Sequence, residues 1–117
     1  MSRSEYESLL RDDLFADALA SLPAVDRVTW RSKVFGAAKH DIHSLRNEMV
    51  ALGLDCDEVL DDSPRLGQSS FVYRIQTTVS DSDKLVSQLG DLYDLEDRFT
   101  LNGAEYALLD GNGRNLL

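Results

Sequence analysis

A single cysteine, Cys56, leaves no internal disulfide to form, and the two prolines, Pro23 and Pro64, leave long stretches in which regular structure is uninterrupted. No apolar run approaches the roughly 20 residues that a membrane-crossing helix requires, so no membrane partner is expected. Positive charge is scarce: 12 Lys and Arg stand against 21 Asp and Glu, a formal net charge of -9. Binding to a nucleic acid backbone depends on neutralising phosphates with Lys and Arg, so direct nucleic acid binding is not expected, and a basic protein surface is the better-matched partner. Also missing are a dinucleotide fingerprint, a Walker-type Gly-Lys-Ser/Thr loop and a G-x-S-x-G elbow. The opening MSRSEYESLL lacks the continuous apolar core of a secretion signal, which gives a cytoplasmic location as the expectation.

What is present is an ordinary globular composition, 43% hydrophobic and 28% charged, in 117 residues. That length suits one domain over residues 1–117, with a helix over 4–22 and a layered sandwich over 26–113. Ser4 and Glu7 have capping-box spacing, and Tyr6, Leu9, Leu10, Leu14, Ala18 and Leu22 form one apolar stripe before Pro23. Val28, Trp30 and Val34 alternate with Thr29, Arg31 and Lys33, a strand whose outer face is basic and whose Trp30 belongs to the core; Gly36 ends it. Helical spacing returns at Ile42, Leu45, Met49 and Leu52 within a helix over 39–52, closed by Gly53 as a left-handed cap with Leu54 as its apolar contact. A weak strand over 54–60 follows, then a loop over 61–70.

Phe71, Tyr73, Ile75, Thr77 and Val79 alternate with Val72, Arg74, Gln76 and Thr78 as a central strand. The period then changes to helical at Leu85, Leu89, Leu92, Tyr93 and Phe99, after Ser80 as expected cap, giving a helix over 81–97. The final strand lies over 104–109. Asn102-Gly103 is either a simple turn from helix to strand or the tight turn of a hairpin pairing 98–101 with 104–109. The order helix, then strand-helix-strand-strand-helix-strand, predicts an α+β fold: a ferredoxin-like sandwich with an added N-terminal helix.

Candidate chemistry is sparse. His40 and His43 lie one helical turn apart with Asp41 between them, but a closed zinc site needs four ligands and a catalytic one usually three and a water. They are read as surface or helix-terminus histidines, Cys56 as a small buried hydrophobe, and Asp110-Gly111-Asn112-Gly113 as a polar turn, because the bidentate Glu of a calcium loop does not follow. No catalytic residue, metal or cofactor is expected. The residues that stand out are acidic: Asp55, Asp57, Glu58, Asp61 and Asp62 in one cluster, and Asp94, Glu96 and Asp97, with Asp91 before them, at the end of the later helix. Each is either a solvated face or a field that steers a positively charged protein surface. Failing those, the exposed sheet around Arg31, Arg74 and Gln76 is the next surface to consider.

The run Val86-Ser87-Gln88-Leu89, the acidic helix end, Arg98-Phe99, Asn102-Gly103 and Asp110-Gly111-Asn112-Gly113 resembles the C-terminal half of the regulator of ribonuclease E activity B family. The helix from His43 to Leu52 with Gly53 is similar to that family's earlier strand-helix-strand unit, so the likeness spans residues 28–113. Asn102 and Ala104 depart from the family's Asp-Gly-Trp turn, and Trp30-Arg31-Ser32 stands where paired histidines often occur. The resemblance implies a ferredoxin-like, non-enzymatic acidic inhibitor that binds a ribonuclease. Two other classes fit the residues: an immunity or phage-encoded inhibitor covering the basic site of a nuclease, and a small enzyme or ligand-binding domain.

Overall fold

The computed structural model describes residues 1–36, 38–63 and 68–117, with the side chains of 62 and 63 excepted. The N-terminal helical stretch is not one regular helix. It runs as α1 (Arg3–Ser8), a π-helical segment (Leu9–Phe15) and α2 (Ala16–Leu19). The capping box sits two residues earlier than its expected place: the Ser2 hydroxyl accepts from the Glu5 amide at 3.2 Å and the Glu5 carboxylate accepts from the Ser2 amide at 3.3 Å. Ser4-x-x-Glu7 has the same spacing, so the motif alone did not decide the register. The π segment brings Leu10 and Phe15, five residues apart, both into the core.

Strand β1 (Arg27–Gly36) buries every second residue from Val28 onward and turns Arg27, Thr29, Arg31 and Lys33 outward. Helix α3 (Lys39–Ala51) ends in a Schellman motif. Gly53 has φ +87°, its amide donates to the Val50 carbonyl at 2.9 Å and the Leu54 amide to the Met49 carbonyl at 3.2 Å. A side chain at this position would be strained, which is why glycine stands there. The weak strand expected over 54–60 is in fact two pieces, β2 (Asp55–Cys56) and β3 (Leu60–Ser63). Much of the expected loop over 61–70 is also strand. Strand β4 (Gln68–Thr78) begins three residues before Phe71, and Leu60, Asp61 and Ser63 face Ser70, Ser69 and Gln68 across an antiparallel ladder with an irregularity between Asp61 and Ser63. Ladder pairing outweighed the turn-rich composition here; Pro64 and Gly67 lie outside the described residues.

After β4 a 3-10 turn (Val79–Asp81) leads into α4 (Ser82–Glu96). Ser80 is not the cap: its hydroxyl meets the Thr78 hydroxyl at 3.0 Å, and no side-chain cap bond closes the turn. Strand β5 (Gly103–Leu109) completes a five-stranded antiparallel sheet in the order β2-β4-β1-β5, with β3 also on β4. No strand forms over 98–101, so the hairpin alternative gives way to the helix-to-strand turn, with the Asn102 amide donating to the Phe35 carbonyl at 2.8 Å. The architecture is α+β.

The chain divides into two compact units. The first comprises Met1–Trp30, Gln76–Asp94 and Ala107–Leu117. Its core holds Leu10, Phe15, Val28, Trp30, Leu85, Val86, Leu89, Leu92 and Leu108, with Phe15 and Trp30 in an edge-to-face pair at 5.9 Å. The second comprises Arg31–Ile75 and Leu95–Tyr106, and its core holds Val34, Ile42, Leu45, Met49, Phe71, Tyr73 and Ile75. Each buried side chain contributes about 1.5 to 3 kcal/mol relative to exposure, before the entropy of ordering it is counted.

Candidate functional site

The first acidic cluster stands on β2, β3 and the turn between them, and two of its members are already engaged. Register places Asp55 opposite Arg74 and Cys56 opposite Tyr73, and the Asp57 amide extends the ladder by donating to the Val72 carbonyl at 2.8 Å. The Asp57 carboxylate is held at both oxygens by Arg74, Nη1 to Oδ1 at 2.9 Å and Nη2 to Oδ2 at 3.2 Å. Arg46 of α3 donates Nε to the Asp57 carbonyl at 2.7 Å. The Arg74 fork, with the nearby charges of Arg31 and Arg46, holds the Asp57 carboxyl below its usual range. Asp61 accepts from Lys39 Nζ at 2.8 Å and from the Ser69 hydroxyl at 2.9 Å, and both bonds draw its pKa down. Asp55 and Glu58 are exposed and form no ion pair among the described residues, while the side chain of Asp62 lies outside them.

The second cluster is likewise divided. Arg3 of α1 reaches Asp91 at 2.7 Å, Asp94 at 3.1 Å and Glu7 at 3.3 Å, and donates to the Ser87 carbonyl at 3.3 Å. These carboxylates push the guanidinium's pKa further up. Gly90 on α4 makes room for this network, since a Cβ there would fall 2.3 Å from Glu7 Oε1 and 2.8 Å from Arg3 Nε. Tyr6 stacks on Tyr93 at 4.9 Å, and the Tyr93 hydroxyl donates to the Met1 carbonyl. Asp91 and Asp94 therefore help to seat the N-terminal helix. In the second unit Glu96 is half-buried, and burial pushes its carboxyl up to about 7. Asp97 is exposed, and Arg98 beside it pairs with Glu48 at 3.3 Å.

The remaining candidates stay apart. His40 and His43 are both exposed on α3, and no group of three metal-ligating side chains occurs among the described residues. Cys56 is half-buried, and burial pushes its thiol up, away from the thiolate that a nucleophile requires. Replacing His40 and His43 together by alanine is expected to leave the unfolding midpoint and the metal content of tag-free protein unchanged; stoichiometric zinc lost on substitution would contradict this. Asp110 closes a self-satisfied polar turn, its Oδ1 accepting from the amides of Asn112 and Arg114, each at 2.9 Å.

Two features of the surface were not legible as sequence. The helical N-terminal stretch carries a shallow groove of about 470 Å³ lined by Met1, Ser4, Glu5, Ser8, Leu9, Asp12 and Asp13. The other is the gathering of Arg31, Arg46 and Arg74 around Asp57. Arg31 and Arg74 belong to outward positions of their strands, a signal that period-two alternation supplies, whereas Arg46 comes from a helix and joins them only in three dimensions. No protein-family model and no curated protein matches the sequence.

Proposed function

We propose that this chain is a non-enzymatic, acidic regulator that binds a basic surface of another protein, built on a ferredoxin-like sandwich, with a ribonuclease of the ribonuclease E type as the most specific form of partner. The sandwich reading draws support from connectivity: α3 joins β1 to β2 and α4 joins β4 to β5, and in the order β2-β4-β1-β5 neither pair is adjacent. The observation that carries the binding reading is the carboxylate left over once pairing within the chain is counted. Asp12, Asp13, Asp55, Glu58 and Asp97 are exposed and form no ion pair among the described residues, in a chain whose net charge is -9. Such a field accelerates encounter with a cationic surface and rejects nucleic acid. Met1, 72% exposed, and Leu9, 39% exposed, lie in the same groove as Asp12 and Asp13, giving that face apolar area for a partner to cover.

Two arms test the reading. Purified ribonuclease E is assayed on an RNA substrate with and without a stoichiometric excess of this protein. Slower cleavage, recovering as salt is raised well above about 0.15 M, is the expected result. In parallel, immobilised protein captures partners from native cell extract for identification. Unchanged cleavage together with no salt-sensitive, basic partner would overturn the proposal.

A further inference from the structure

We infer that Arg31, Arg46 and Arg74 form a binding site for a phosphoryl oxyanion, with the Asp57 carboxylate as its built-in competitor. The site lies in the second unit and does not rest on the proposed function, although Asp55 belongs to both surfaces. Two guanidinium groups from two elements meet at Asp57, Arg46 of α3 on its carbonyl and Arg74 of β4 on its carboxylate, and Arg31 of β1 is near enough for its charge to act on that carboxylate. Asp57 is fixed there through its backbone, by its amide on Val72 and its carbonyl under Arg46 Nε. Its carboxylate already satisfies one fork, that of Arg74. Among the described residues the other two are underused: Arg46 spends only Nε, and no hydrogen bond engages Arg31. Each guanidinium carries five N–H donors in a plane, so most of the donors of Arg31 and Arg46 have no partner among the described residues.

The chemistry of the donors selects the ligand. Planar forks match tetrahedral oxyanions two bonds at a time, and a phosphoryl group brings about -1.5 to -2 charge and three acceptor oxygens to a place where one carboxylate brings one charge. Asp55, opposite Arg74, and Asp57 set the opposing charge, so the five groups sum to one net positive charge. The chain as a whole, at -9, repels anions at long range. Wild-type affinity is therefore expected to be weak, and removal of the Asp57 charge is expected to strengthen it.

The test is a titration with inorganic phosphate at constant ionic strength, following arginine side-chain N–H resonances by NMR, with chloride as the matched control. The expected result is saturable binding that is about tenfold tighter in Asp57→Asn, and lost by about tenfold or more when Arg31→Gln or Arg46→Gln is added to that variant. Arg31 is exposed and Arg46 half-buried at the surface, and circular dichroism verifies that each variant is folded. O-phosphoserine and adenosine monophosphate serve as further probes: tighter binding of one assigns the source as a modified side chain or a nucleotide, and equal binding assigns recognition to the phosphoryl group alone. No saturable shift in either wild type or Asp57→Asn would overturn the site, as would binding that Arg31→Gln and Arg46→Gln leave unchanged.

Discussion

Replacing Leu89 by alanine is expected to lower the unfolding free energy by about 2 to 5 kcal/mol. Leu89 is 2% exposed on α4, in a core shared with Leu85, Val86 and Leu92 of the same helix and with Leu10, Phe15 and Trp30 of the same unit. Truncation removes the transfer free energy of the lost methyl groups and leaves a cavity whose walls relax only in part. Gln88, one residue away and exposed, provides the control: Gln88→Ala is expected to change stability by no more than about 0.5 kcal/mol. Denaturant unfolding followed by circular dichroism reads both. A loss below about 1 kcal/mol for Leu89→Ala would remove this part of α4 from the core of the first unit.

The second large effect is expected from Glu96. Its carboxyl titrates at about 7 in the folded chain against an ordinary 4.5, because burial penalises the charged form. Between those two values the folded state holds a proton that the unfolded state has released. Stability therefore falls as pH rises from about 4.5 to about 7 and is level above that, as far as this group is concerned. The size is about 1 to 3 kcal/mol, since each pKa unit corresponds to about 1.4 kcal/mol and the side chain keeps some contact with water. Glu96→Gln removes the penalty: the variant is expected to match the wild type near pH 4.5 and to exceed it at pH 8. Unfolding curves at the two pH values check this, and an equal pH dependence in both proteins would contradict it.

Those two residues also show how far the sequence could be read. Leu89 was legible, because the spacing of Leu85, Leu89 and Leu92 alone identifies the buried stripe of a helix. The same holds for Gly53 and Leu54, whose capping geometry follows from glycine after an apolar helical repeat. Glu96 was legible only as one acid among several, since nothing in local pattern separates a half-buried carboxylate from its exposed neighbour Asp97. The π-helical stretch over Leu9–Phe15 was hidden because α-helical spacing puts Leu14, not Phe15, on the face of Leu10, and only the wider π turn brings residues five apart to one side. Strand β3 was hidden because only Leu60 of Leu60–Ser63 is apolar, so no apolar alternation announces its pairing with Ser69 and Ser70.

The acidic clusters were visible, but their division was not. Composition treats Asp55, Asp57, Glu58 and Asp61 alike, whereas register and fold give Asp57 to Arg74 and Asp61 to Lys39 and Ser69. Asp94 is in the same position, held by Arg3 from 91 residues away in the chain. Charge already satisfied inside the molecule contributes less to an outside partner, so under the proposed function the steering groups are among the exposed acids with no ion pair among the described residues, Asp55, Glu58, Asp97, Asp12 and Asp13 included.

The most direct test of that account is the association rate with the captured partner, measured by stopped flow over a salt series. For the wild type the rate is expected to fall steeply as the Debye length shortens from about 30 Å at 0.01 M to about 8 Å at 0.15 M. A variant carrying Asp12→Asn, Asp13→Asn, Asp55→Asn and Glu58→Gln is expected to associate more slowly at low salt and to show a much shallower salt slope, with its shape nearly unchanged. Identical rates and slopes for variant and wild type would contradict the claim that these carboxylates recruit a basic protein.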